Sequence, residues 1–259
     1  MTRTRWIAIS VGGVVVAWFA ALIVIDAIGG DRVGTGVARR LADSLQGSAA
    51  FADRDLALVR GRLDLAGLRV TRDDAVGQLR LEVAGIRCEL APLGIALVDR
   101  DCGELAITGM RLGVSTLALF KLRPPKRRPI HADSVTIDDA TFTFAAGAIP
   151  LAGGEVRVVL ERAIAGPTTF KTPLSWLFAL RGLRAHVALP GGETVDVTFA
   201  SGIVQASGSL LGKPPLVLPL ELPVTTDADD GRAELAKLTA FGSLLTERLI
   251  AERWLRQPR

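Results

Sequence analysis

The spacing of apolar positions divides the chain into three regimes. From Trp6 to Ile25, twenty residues run without a charge, which at about 1.5 Å per helical residue spans roughly the 30 Å hydrocarbon core of a bilayer. From Asp31 to Gln46 apolar residues recur every fourth position (Val33, Val37, Leu41, Leu45), with Arg39, Arg40 and Asp43 between them. That spacing predicts an amphipathic helix over 31–46, stopped by Gly47 and packed on the sheet that follows. After Gly47 the period falls to two. Leu56 and Leu58, Leu63 and Leu65, Leu68 and Val70, then Leu79, Leu81 and Val83, and Leu105 with Ile107 alternate with charged or small residues. This is the pattern of strands with one apolar and one polar face.

Turn signals fall at Arg60-Gly61 and at Arg72-Asp73-Asp74. Ala91–Leu97 reads as a short helical interruption started by Pro92. Residues 121–129, Lys-Leu-Arg-Pro-Pro-Lys-Arg-Arg-Pro, form a basic Pro-rich loop that cannot be a central strand; it splits the β region, 48–225, into two halves. Alternation resumes at Val135 and Ile137, Phe142 and Phe144, and Val156, Val158 and Leu160. After a second short helical candidate, Pro173–Leu180, it returns at Val187 and Leu189, at Val195, Val197 and Phe199, and from Ile203 onwards. The pattern predicts nine or ten strands, whose short separations imply antiparallel hairpins. Asp227, Asp229 and Asp230 suit a helix N-terminus. A C-terminal helix over 231–256 then places Leu235, Leu238, Phe241, Leu245 and Leu249 on one stripe, with Leu244, Ile250 and Trp254 off it. It reads as a helix capping the far end of the sheet.

The first span reads as a retained anchor rather than a cleaved leader. A signal peptide's apolar region is shorter and ends at a small-x-small site, whereas Asp26-Ala27-Ile28-Gly29 makes a poor one. Arg3 and Arg5 before the span nearly balance Arg32, Arg39 and Arg40 after it. A short head, 1–5, stays behind more easily than a long domain, so the expected orientation is N-terminus in the cytoplasm and main domain outside it.

Composition changes little of this. Arg outnumbers Lys 26 to 5, Asn and Tyr are absent, and the net charge is +4. Scattered bases at so small a net charge argue against nucleic acid as the partner. Without Asn there is no N-glycosylation site and no Asn-Gly hairpin, so Asp and Gly must make the turns. Cys88 and Cys102 lie 14 positions apart. In an oxidising compartment they form a disulfide closing a loop of about 15 residues, worth roughly 3 kcal/mol in the chain-entropy model; the other reading is two unpaired, half-buried thiols.

Catalytic constellations are weak. His131-Ala132-Asp133-Ser134 brings three catalytic residue types together, but in a strand His131 and Asp133 share a face while Ser134 points away. Asp73-Asp74 and Asp138-Asp139 read as turn formers, and Gly34-Thr35-Gly36 lacks the third glycine of a dinucleotide loop. No cofactor, metal or catalytic residue is expected.

The order of elements resembles the AsmA-like family, bacterial relatives of the bridge-like lipid transfer proteins. The phrases that carry the likeness are the anchor, the helix up to Leu45-Gln46-Gly47, Asp55–Leu58, Leu79–Ile86, Leu105–Leu112, Pro129–Phe142 and Gly202–Gly212. The resemblance implies a mainly β fold: an N-terminal transmembrane helix, then a long curved antiparallel sheet forming an open trough that holds lipid acyl chains. The trough would be lined by Leu56, Leu58, Leu63, Leu65, Leu79, Leu81, Val83, Leu105, Ile107, Val135, Ile137, Phe142, Phe144, Val156, Val158, Leu160, Val195, Val197 and Phe199. Lys121, Arg123, Lys126, Arg127 and Arg128 are candidates for anionic headgroups. The implied role is a non-enzymatic, inner-membrane-anchored periplasmic protein in phospholipid transport or outer-membrane homeostasis, with an envelope protein as a further partner. The alternative is a scaffold or assembly factor of an envelope complex whose core is filled. Bridging members of the family are far longer, and ten strands about 4.8 Å apart reach only roughly 50 Å.

Overall fold

The computed structural model describes residues 35, 36, 38, 39, 42, 43, 46–57, 61–90, 101–116, 130–148, 154–172, 174–209, 212–226 and 228–251. The predicted head 1–5, the apolar span 6–25, Leu58, the helical interruption Ala91–Leu97 and the basic loop 121–129 lie outside these residues. Among the described residues no helix is long and apolar enough to cross a membrane.

The amphipathic segment is helical at the six described positions from Thr35 to Asp43, and Ala38 is buried in the core. Its end is a reciprocal cap rather than a bare glycine stop. Gln46 takes φ +56°, and the Gly47 N–H donates back to the Ala42 carbonyl at 3.0 Å, the six-to-one bond of a Schellman motif. Gly47 is needed for a different reason: a Cβ there would run into the Thr71 carbonyl oxygen.

Among the described residues twelve strands form one sheet. They are β1 (Ser48–Ala50), β2 (Asp53–Ala57), β3 (Arg62–Asp74), β4 (Gly77–Leu90), β5 (Cys102–Val114), β6 (Ile130–Phe144), β7 (Val156–Ala165), β8 (Thr168–Phe170), β9 (Leu180–Ala188), β10 (Thr194–Ala200), β11 (Ile203–Gly208) and β12 (Gly212–Pro219). The order runs β1-β3-β4-β5-β6-β7-β9-β10-β11-β12, with β2 also on β3 and β8 also on β6. The expected all-antiparallel ribbon is wrong at one place: β5 and β6 pair in parallel, from Cys102–Ala132 to Val114–Phe144. The physical reason is the connection. A hairpin needs two to five residues, whereas residues 115–129 are long enough to carry the chain back to the start of the next strand. The loop therefore does not split the sheet, because the strands on either side of it are hydrogen-bonded neighbours.

Two turn assignments also shift. β3 continues through Arg72-Asp73-Asp74, and the reversal comes at Ala75-Val76. Asp74 Oδ1 holds it by accepting from the Val76 and Gly77 N–H groups at 2.8 and 3.3 Å, an Asx turn. Asp138-Asp139 is no turn at all but lies inside β6.

The strands share a crease. Apolar alternation runs Leu63, Leu65 and then Leu68, Val70 on β3; Leu79, Leu81, Val83 and then Ile86, Cys88 on β4; Leu105, Ile107 and then Met110, Leu112 on β5; and Val135, Ile137 and then Ala140, Phe142 on β6. Each slips by one residue at the same level, across the row Gly67, Ala84, Gly109 and Asp139. Three of these have positive φ: Gly67 at 62°, Gly109 at 61° and Asp139 at 54°. Because every strand slips together, the register is kept and the apolar side chains stay on one face. The crease ends on β7, where Glu161 is a bulge against β9.

After a 3-10 turn at Ser175–Ala179, part of the predicted 173–180 segment, the chain closes with α1 (Gly231–Ala251). Leu235, Leu238, Phe241 and Leu245 are half-buried on its inner side and Leu244 is exposed, as the stripe predicts. Leu245 packs on the second apolar cluster, built around Val195, Ala206, Leu216 and Leu218. β12 carries three prolines, Pro214, Pro215 and Pro219.

Candidate functional site

The apolar face is continuous across the sheet because facing residues share a side in every pairing. One row, fixed by cross-strand register, is Leu65–Ile86–Ile107–Ile137–Ala163–Leu183–Phe199–Val204–Leu218. Beyond the crease a second runs Leu68–Val83–Met110–Ala140–Leu160–Ala185–Val197–Ala206–Leu216, and a third includes Val70, Leu81, Leu112, Phe142, Val158, Val187 and Val195.

Apart from Leu56 and Leu58, the residues expected to line the trough fall on this one face. Leu63, Leu65, Leu79, Val83, Val135, Ile137, Val156, Leu160, Val195 and Phe199 are buried. Leu81, Leu105, Ile107, Phe142, Phe144, Val158 and Val197 are half-buried. Leu56 pairs with Leu63 through the backbone. Ile86, Met110, Leu112, Leu183, Val204, Leu216 and Leu218 also belong to this face, and the two-residue period does not single them out. Most stand just past the crease or on short terminal strands, where a period of two is too brief to read.

Burial along the face is graded. Val70, Ala132, Val135, Ile137 and Ala140 are at most 1 % exposed, whereas on β5 Leu105, Ile107, Met110 and Leu112 are only half-covered.

Cys88 and Cys102 form a disulfide, with Cα atoms 5.4 Å apart, joining the ends of β4 and β5 beside the face. The candidate headgroup bases Lys121, Arg123, Lys126, Arg127 and Arg128 lie outside the described residues.

At the other end of the sheet, the start of α1 is pinned by a carboxylate that sequence reasoning did not single out. Glu234 is 2 % exposed, and its Oε2 accepts from the Ser175 hydroxyl at 2.6 Å and the Thr172 hydroxyl at 3.1 Å. Asp230 caps the helix by accepting from the Arg232 and Ala233 N–H groups. One turn away Lys237 donates to Asp229 at 2.6 Å and to the Val224 carbonyl at 3.0 Å. That ammonium, with the Thr226 N–H and hydroxyl, holds the Asp229 carboxyl down at about 2.

The two histidines sit apart from each other. His131 contacts Asp133 on the same face at 3.4 Å and the Thr169 hydroxyl at 3.1 Å. His186 lies 2.7 Å from Asp196 on the polar face, and the cross-strand order His186–Asp196–Ser207 puts the carboxylate between imidazole and hydroxyl. A charge-relay arrangement needs the imidazole in the middle. Among the described residues no group of three His, Cys, Asp or Glu is placed to hold a metal ion.

These features define a class: a long mixed β-sheet, creased across its strands, with one continuous apolar face and a docked terminal helix. No family model, curated protein or solved structure matches this chain.

Proposed function

We propose that this chain is an inner-membrane-anchored periplasmic protein, not an enzyme, that holds or hands on phospholipid acyl chains along the apolar face of its sheet. Its role is in envelope lipid transport or outer-membrane homeostasis. The observation that carries the reading is the continuity of the apolar rows over nine strands, with a half-covered stretch on β5. The reading draws also on the uncharged span 6–25 and on the resemblance to the AsmA-like family. A path of ten strands gives nine spacings, or roughly 43 Å, so the chain acts as a shuttle, an adaptor or one segment of a longer assembly.

The test is lipid extraction from the full chain purified in mild detergent, followed by mass spectrometry. Leu81→Asp and Val158→Asp place a charge at two half-buried positions of the same row. Wild-type protein carries phospholipid, and both variants lose it while keeping the wild-type melting temperature. A wild-type preparation no richer in phospholipid than the variants sinks the reading.

One observation favours a second reading. The near-complete burial of Val70, Val135 and Ile137 is what a filled core requires, and a non-transporting scaffold of an envelope complex needs nothing more. The same experiment separates the two, since a scaffold yields no lipid difference between wild type and variants.

A further inference from the structure

The polar face carries a depression of about 490 Å³ next to the crease. Its floor is Gly113, which stands between Arg80 of β4 and Thr143 of β6 in the register, so no side chain fills the gap. Arg80, Arg111 and Arg157 reach in from three strands, Thr141 and Thr143 supply hydroxyls from a fourth, and Glu82, Asp139 and the apolar Leu112 and Val159 complete the lining.

The charges are not equally committed. Glu82 accepts from the Arg80 guanidinium at 2.9 and 3.1 Å, and its carboxyl is held below the ordinary range first by Arg80, then by Arg69 and Arg111. Arg80 and Glu82 therefore largely satisfy one another. Among the described residues no hydrogen bond or ion pair engages the guanidinium of Arg111 or Arg157, or the hydroxyl of Thr141 or Thr143. Arg111 and Arg157 stand on β5 and β7, two strand spacings across and two residues along, roughly 12 Å apart, so the two side chains can converge over the threonines between them.

We propose that this depression binds a phosphate-bearing anion, clasped by Arg111 and Arg157 with Thr141 and Thr143 beneath. The planar guanidinium fork matches two phosphoryl oxygens at once, and two hydroxyls can donate to the others. Asp139, on the rim, opposes the anion and tunes the site down. The depression lies on the face opposite the apolar rows, so the proposal does not depend on the lipid reading. The anion is either a free phosphate or the phosphodiester of a lipid headgroup.

Titration calorimetry on the full chain, in phosphate-free non-ionic detergent, tests this with two probes: inorganic phosphate and dibutyroyl phosphatidylglycerol. Saturable binding is expected for at least one, and the probe that binds identifies the source. Affinity should fall about tenfold or more in R111A/R157A, rise in D139N, and stay unchanged in R184A, whose arginine lies outside the depression. A melting temperature equal to wild type confirms that each variant is folded, and D139N keeps the test open if the double variant is not. Binding of neither probe, or binding undiminished by R111A/R157A and unimproved by D139N, overturns the proposal.

Discussion

Gly109 and Ala84 meet across β5 and β4 with no room for another methyl: a Cβ on Gly109 would lie 2.7 Å from the Ala84 Cβ. Gly109 also has φ +61°, which side chains rarely adopt. Gly67 repeats the situation against Ala52, at 2.6 Å. Gly109→Ala is therefore expected to destabilise the fold by about 1–3 kcal/mol, from overpacking and backbone strain together. Adding Ala84→Gly should recover the overpacking share and leave the strain. Denaturant midpoints of the three proteins decide it, and an unaltered midpoint for Gly109→Ala would show that the crease is not held by this contact.

The Cys88–Cys102 bond closes the connection between the antiparallel strands β4 and β5. Replacing both cysteines by serine should cost roughly 3 kcal/mol through a freer unfolded chain. Unfolding of the wild type with and without reductant should show the same gap, and the serine variant should no longer respond to reductant.

Glu234 holds the helix start through two hydroxyls. Ser175→Ala removes its shorter bond and leaves a buried carboxylate less satisfied, at an expected cost of about 1–3 kcal/mol. Glu234→Gln keeps the volume and should cost less than Glu234→Ala. Hydrogen exchange at the first turn of α1 reads this locally; equal protection in wild type and Ser175→Ala would count against it.

The same helix start should respond to acid. Asp229 has a folded-state value of about 2 against an ordinary 3.8. A lowered carboxylate stabilises the fold above its unfolded value, and that contribution is lost as pH falls through the folded one. The Lys237–Asp229 contribution should thus be complete above about pH 4 and disappear toward pH 2. Asp229→Asn should flatten that part of the stability profile, and a profile with the same slope in both proteins would refute the assignment.

What the sequence revealed depends on how local the signal was. Leu79, Leu81 and Val83 announce a strand because three alternations fit between the turn at Ala75-Val76 and the slip at Ala84, and the stripe of α1 reads correctly from Leu235 to Leu245. Ile86 and Met110 escape because the crease breaks the alternation just before each of them. Parallel pairing of β5 with β6 leaves no mark on the residues of either strand; it is a property of the connection's length. Asp139 resembles a turn residue because it does adopt a left-handed conformation, but within a strand. Glu234 looks like any acidic residue in a helix's first turn, and only its docking on Thr172 and Ser175 makes it buried.

Proline in β12 limits how the sheet can meet another chain. The Leu220 N–H donates inward to the Gly202 carbonyl, so along the regular stretch 216–219 positions 217 and 219 point their backbone nitrogens away from β11. Position 219 is proline and has no hydrogen to offer. A second copy laid against this stretch would find a single donor, at Val217. Edge-to-edge polymerisation is blunted along that stretch.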